Sequence, residues 1–158
     1  YVIFDNLIFG SFFIRRSLFV PSYLTFIYYE FFSTENFIYW SNSFTSNFVE
    51  YPYDANPAKI IGKYLDTNYH ANTSFLATGF MHAGIFGIIL YSLIFVIILR
   101  IIDIQNFNKN DIWINIAITF IPLHTLITSA DLTTALITHG ILFSIIFLLL
   151  YENKKVND

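Results

Sequence analysis

Four histidines carry most of this chain's capacity for proton chemistry near neutral pH: His70, His82, His124 and His139. An imidazole can serve as a general base, as a step in a proton relay, or as a hydrogen-bond donor between helices. His82, His124 and His139 each lie in a stretch with few or no other ionisable side chains. His82 also has small neighbours: Gly79, Ala83, Gly84 and Gly87. The chain has no cysteine, which excludes thiolate catalysis, disulfides and Cys-based metal sites. His70 and His82 are too far apart for a helical metal pair, and no carboxylate cluster supports one, so no metal and no cofactor are expected. The G-x-G-x-x-G, P-loop, H-E-x-x-H and G-x-S-x-G motifs of soluble enzymes are absent.

The elements that hold these rings are built for lipid. The chain is 56% hydrophobic and 12% charged, where a soluble domain carries about 25% charge. With a mean hydropathy of +0.59, it is more apolar than one core of this length can hide. No basic patch interleaved with aromatics is present, so nucleic acid is not expected as a partner. Crossing the hydrocarbon takes about 20 apolar residues as a helix. Residues 71–99, 112–130 and 132–151 are long enough, lack Asp, Glu, Lys and Arg, and are continuous rather than alternating, which predicts helices. Pro122 is expected to bend the middle one. The chain begins at Tyr1 with no signal-peptide pattern, and reads as the C-terminal part of a larger membrane protein.

The expected fold is therefore all-α: a polytopic membrane helix bundle with a long, partly ordered extracytoplasmic loop. Residues 1–32 form membrane segments, 33–73 the loop, 74–151 three transmembrane helices, and 152–158 a cytoplasmic tail. In the first segment, Arg15 and Arg16 separate the short apolar pieces 6–14 and 17–29. Either they lie between two helices at the cytoplasmic surface, or one kinked helix carries them at membrane depth. A central arginine costs about 2.5–3.5 kcal/mol on insertion scales, which favours the first arrangement. The loop, at about 40 residues, is too long for a passive connector. Its aromatics, among them Trp40, Tyr51 and Tyr53, predict a segment that packs on itself or on sugar. With the loop outside, Arg15, Arg16, Arg100, Lys109, Lys154 and Lys155 fall inside and only Lys59 and Lys63 outside, so the C-terminus is cytoplasmic.

That topology sets His82 about 12 Å and His124 about 9 Å from the outer ends of their helices, with His139 within about two turns of its own. Polar residues matched in depth predict a cavity opening outward. Plainer roles compete. A histidine in a spanning helix is as readily a helix-to-helix donor, and the small residues 79, 83, 84 and 87 more often mark close helix packing than a ligand site. Asp131 or Thr133 is expected to cap the last helix.

Three stretches resemble the Wzy-type oligosaccharide repeat-unit polymerases, the O-antigen polymerase family. RRSLFVPSYLTFIYYEFFS (15–33) is similar to their arginine, aromatic, proline and Tyr-Tyr-acid-Phe-Phe segment. IGKYL (61–65) and HANTSFLATGFMHAGIFGIIL (70–90) resemble the stretch where the large outer loop re-enters the membrane. SADLTTALITHGILFSIIFLLL (129–150) is similar to their closing Ser-x-x-Leu-Thr-Thr hairpin. The usual Ala-Asn-x-Gly is Ala71-Asn72-Thr73-Ser74 here, which changes the expected shape of that turn.

The resemblance implies a multi-pass glycosyltransferase of the bacterial inner membrane. It would join undecaprenyl-pyrophosphate-linked oligosaccharide repeat units into surface polysaccharide, beside a flippase and a chain-length regulator, with no nucleotide. That chemistry needs a base for the acceptor hydroxyl and cations for the departing pyrophosphate. His82, His70 and His139 are the catalytic candidates. Asn72, Arg15, Arg16, Trp40, Tyr51 and Tyr53 are the substrate-binding candidates, Asn72 through a sugar hydroxyl and the aromatics through apolar sugar faces. An O-antigen ligase, a flippase or transporter with a histidine relay, and a structural subunit are the alternatives. The transporter lacks a carboxylate deep in the spans, which proton-coupled carriers usually have.

Overall fold

A computed structural model describes residues 14–104 and 112–157. The predicted apolar piece 6–14 therefore lies almost wholly outside the described residues, as do Lys109 and the side chains of Lys154 and Lys155. The structure is 71% helix, with no strand among the described residues, so the all-α expectation holds.

The first described helix begins at Ile14 and carries both arginines. A π-helical turn, Arg15–Phe19, leads into α1, Val20–Thr34. Pro21 explains the turn. It has no N–H for the Ser17 carbonyl and its ring crowds that carbonyl. The helix widens ahead of it, and the Val20 N–H reaches back to the Arg15 carbonyl. The Ser22 and Thr25 hydroxyls bond the Leu18 and Pro21 carbonyls. Pro21, Leu24, Tyr28 and Phe32 recur every three or four residues and form the buried stripe of α1.

The loop is ordered and contains a helix that the sequence reading missed, α2, Pro57–Tyr64. Its start signal was legible. Asn56 is the N-cap, accepting from the Lys59 N–H at 2.9 Å, and Pro57 occupies the first helical turn. Ile38, Ile61 and Ala71 from this segment join Leu24, Tyr28 and Phe32 in one apolar core, closed by Ala77, Phe80 and Met81.

Those last residues belong to α3, Phe75–Ile104, which is not the single rod expected for residues 71–99. Ala83 (φ −152°) and Gly84 (φ +59°) break it. The chain folds back there so tightly that a Cβ on Gly87 would stand 1.9 Å from the Gly79 carbonyl oxygen. Gly79 and Gly87 thus have the packing role, between two arms of one chain. Residues 75–82 are a short first arm. Residues 85–104 are the arm that can cross, about 30 Å at 1.5 Å per residue.

The first arm ends in carbonyls with no helical partner. Three consecutive N–H groups of the loop meet that end. Ile38 N–H donates to the Met81 carbonyl at 3.1 Å, Tyr39 N–H to the His82 carbonyl at 3.0 Å, and Trp40 N–H to His82 Nδ1 at 3.1 Å. Tyr39 (φ 50°) and Trp40 (φ 59°) are both left-handed to do this, at a cost of roughly 1–2 kcal/mol per residue.

The remaining helices are α4, Ile112–Thr128, α5, Leu132–Ile137, and α6, Ile141–Asn157. Asp131 is the N-cap of α5, as one of the two expected. Pro122 deprives the Ile118 carbonyl of its helical donor, and Ser144 Oγ from α6 stands 3.2 Å from it, sharing its one proton with the Gly140 carbonyl at 2.9 Å. A second core forms where Phe75, Tyr91, Leu126, Leu132 and Ile141 meet.

Two helical stretches, Phe75–Ile104 and Leu132–Tyr151, have the length and hydropathy to cross a membrane. The second is interrupted at Gly140 (φ +89°). The middle run forms a shorter apolar helix, Ile112–Thr128, rather than a third span of that length. The core helix of a soluble protein is mostly covered, whereas the most apolar windows of these stretches are only 22% and 33% buried. Ile85, Phe86, Leu93, Val96, Phe143 and Leu150 all face outward, a surface that suits lipid.

The reversal makes a stability prediction. Gly87→Ala forces backbone apart from backbone, which costs about 1–3 kcal/mol or more. In a Trp113→Phe background, leaving Trp40 as the reporter, the variant should unfold at a clearly lower temperature in detergent. An unchanged melting temperature would rule out the close approach of the two arms.

Candidate functional site

The reversal places His82 at the centre of a buried network. Its ring is 1% exposed. Because Nδ1 accepts from Trp40, the imidazole is the Nε2–H tautomer, assigned from its partners. Nε2 faces Asp131 Oδ1 at 3.5 Å, a distance and geometry short of a full hydrogen bond. Trp40 stacks on the imidazole with centroids 4.9 Å apart and planes at 14°. Its indole Nε1–H donates to Tyr91 Oη at 2.7 Å, and Tyr91 donates to Asp131 Oδ1 at 3.1 Å. Loop, crossing arm and α5 are tied together by four side chains.

Asp131 lies one residue ahead of the last apolar stretch. Its Oδ2 accepts the Thr133 N–H at 3.1 Å and the Thr133 hydroxyl. Burial alone would raise its carboxyl, but the donors facing it, the His82 Nε2–H first and then the Thr133 and Thr78 hydroxyls, outweigh it and hold the group below the usual carboxylate range. Asp131 is thus ionised and well supplied with donors, and a poor proton acceptor at neutral pH.

On the other side of Asp131 a cavity of about 280 Å³ opens. Its wall includes Asn42, Asn56, His70, Asn72, Thr73, Asp131, Thr134 and His139. A second chamber, about 600 Å³, is lined by Arg16, Tyr69, His70, Asn72, His124 and Thr125 among others. His70, Asn72 and Ser129 stand in both walls. The chambers differ in charge. Among the described residues, the first has one carboxylate and no lysine or arginine; the second has an arginine and no carboxylate.

The structure brings together His70, His139, Asn72 and Arg16 of the sequence-predicted set. Arg16 lines the second chamber together with His70 and Asn72. Arg15 is exposed and lines neither chamber.

His82 lines neither chamber either, and its depth along a straight helix no longer applies, because the chain reverses at the next residue. Nδ1 is occupied, so it has no lone pair to offer as a base. Trp40 has one face on His82 and its ring stacked with Phe44 at 6.0 Å, so the indole is engaged in holding the loop. Tyr51 and Tyr53 pack against each other, and Tyr53 against Phe31 and Phe32. Their hydroxyls donate to the Ala55 and Asn36 carbonyls. Burial, with Tyr53 alongside, pushes the Tyr51 hydroxyl up to about 12, so it remains a donor. These tyrosines fold the loop and do not line the cavity.

Sequence reasoning missed Asp131, Thr73 and Thr134 as wall residues and undervalued His124. A signal for Asp131 was present: it is the only acidic residue between 112 and 151. Among the described residues no cluster of His, Cys, Asp and Glu could hold a metal. The chain matches no family model, no curated protein and no solved structure.

Two predictions follow from the network. Tyr91→Phe leaves the buried Trp40 Nε1–H without an acceptor and should cost about 1–3 kcal/mol in detergent unfolding; a change within error would show that the network bears no load. For Asp131 the folded carboxyl titrates below its unfolded value of about 3.9. Its stabilisation is complete above that pH and lost as pH falls below it. Asp131→Asn should flatten the acid limb of the stability curve, and an unchanged acid limb would contradict the assignment.

Proposed function

We propose that this chain is part of an integral-membrane glycosyltransferase that polymerises undecaprenyl-pyrophosphate-linked oligosaccharide repeat units, acting at the outer face of a bacterial inner membrane. The observation that carries the reading is the paired cleft. A chamber with Arg16, His70 and His124, and no carboxylate among the described residues that line it, suits a pyrophosphate, and it shares a wall with a chamber lined by amides and hydroxyls. Outward-facing apolar helices beside it suit the lipid tail of the carrier. The sequence resemblance over residues 15–33, 61–90 and 129–150 points the same way.

In this reading the acceptor hydroxyl oxygen bonds to the anomeric carbon of the donor sugar. The bond from that carbon to the pyrophosphate oxygen breaks, and the carrier pyrophosphate leaves as an anion beside Arg16. The hydroxyl proton passes to an imidazole. Asp131 is too weak a base and His82 has no free lone pair, so the role falls to His70 or His139. His70 is the stronger choice because it stands where the chambers meet. Asn72, in both walls, orients a sugar hydroxyl. His82, Tyr91 and Trp40 are positioning residues behind Asp131.

The test is a surface-polysaccharide gel of a deletion strain complemented with variants. Arg16→Gln and His70→Gln should each leave only single-repeat lipid-linked glycan, with a rate loss of about 10²–10⁴ for a missing base. Normal ladders in both variants would sink the assignment. Polymer stranded on the carrier lipid would instead indicate a ligase, and units trapped on the cytoplasmic side a flippase. Orientation is checked separately: the chain has no native cysteine, so Ser46→Cys and Lys109→Cys should react with an impermeant thiol reagent from opposite faces. Labelling from one face would overturn the topology.

A further inference from the structure

The first chamber carries more information than the transfer reading uses. Its volume, about 280 Å³, is at the lower end of the roughly 300–1,000 Å³ that hold small ligands, room for about one ring and not a chain. Asn42, Asn56, Asn72 and Thr134 line it, and an amide offers donors and acceptors together. That is the complement of a polyol, whose hydroxyls also do both.

Thr73 is the second observation. It stands in the same wall, is 1% exposed, and its hydroxyl has no hydrogen-bond partner among the described residues. Buried hydroxyls in folded proteins are paired with few exceptions. The Thr73 oxygen is itself covered in the empty chamber, so a ligand that completes it must turn the side chain toward the chamber.

Asp131 is the third. Tyr91 and Thr133 already donate to its oxygens, so it has little left to offer a ligand as an acceptor. What it adds to the chamber is fixed negative charge, and no lysine or arginine among the described residues of the wall offsets it. A sugar carboxylate placed here would meet a like charge in a partly desolvated site.

Resting on the glycosyl-transfer reading above, we propose that this chamber seats an uncharged sugar ring at the acceptor end of the glycan, with Thr73 Oγ1 bonding a ring hydroxyl and Asp131 excluding sugars that carry a carboxylate. The second chamber takes the pyrophosphate, and transfer occurs at the His70–Asn72 wall between them. Thr73 and Asp131 are specificity determinants, separate from the proton transfer.

The experiment uses the full chain in detergent and saturation-transfer NMR. The probes are methyl gluco-, galacto- and mannopyranosides, their counterparts oxidised to a carboxylate at C6, and inorganic pyrophosphate. At least one neutral glycoside should bind, and its acidic counterpart about tenfold more weakly. Asp131→Asn keeps a good N-cap residue and should bring the two within about twofold of each other. Thr73→Val, nearly isosteric, should weaken the neutral glycoside about tenfold. Equal binding of acidic and neutral glycosides to the unaltered protein overturns the proposal without any variant. So does unchanged affinity in Thr73→Val. Pyrophosphate binding with no glycoside binding also overturns it, while leaving the transfer reading in place. Selective glycoside binding without pyrophosphate binding supports the sugar seat and removes the transfer reading.

Discussion

Everything in the cleft depends on how the loop docks onto the broken end of α3's first arm. A helix that stops inside a protein must find donors for its last carbonyls. Here Ile38 and Tyr39 supply them, and Trp40 continues the register onto the His82 ring. The docking costs two left-handed residues, Tyr39 and Trp40, and it is worth that cost because it satisfies several groups at once. It holds the reversal closed over Gly79 and Gly87, fixes the His82 tautomer, and brings the indole to Tyr91. Tyr91 then holds Asp131 in the chamber wall, with His82 Nε2 facing it. Non-helical backbone near membrane depth is tolerated where protein covers and pairs it, and this reversal meets that condition.

Two neighbouring solutions to the same constraint shape the rest. Pro21 removes one helical hydrogen bond, and the helix answers by widening over Arg15–Phe19, the turn that carries both arginines. Pro122 removes another, and Ser144 from α6 answers in part across the helix interface. Each irregularity has a named compensation, and each stands close to a wall of the cleft. Arg16 and Pro21 line the second chamber, and so do His124 and Thr125 just past Pro122. The irregular backbone clusters around the chambers, while residues 85–104 present long apolar faces outward.

Much of the helical content could be read directly from the chain, because long uncharged runs without alternation have few other outcomes. The Asp131 cap and the role of Gly79 and Gly87 as packing residues followed from residue type. The reversal at Ala83–Gly84 did not. Small residues every few positions signal close approach, but they do not say whether the partner is another helix or the same one folded back. That ambiguity displaced His82 from the cavity and changed its role. The loop tyrosines failed for a related reason: an aromatic that stacks on sugar and one that packs a loop look alike in sequence. His70, Asn72 and His139 were selected for their chemistry alone, and the fold gathered them around one cleft.

The central claim is that residues 38–40 are pinned to the reversal. Backbone amide exchange of the full chain in lipid nanodiscs tests it without any substitution. The Ile38, Tyr39 and Trp40 amides should exchange as slowly as those in the core of α3, far more slowly than Asn42 and Ser46 nearby. Exchange of all three at the rate of an exposed loop would mean that the loop is not docked, and the buried network, the first chamber and the roles built on them would fall together.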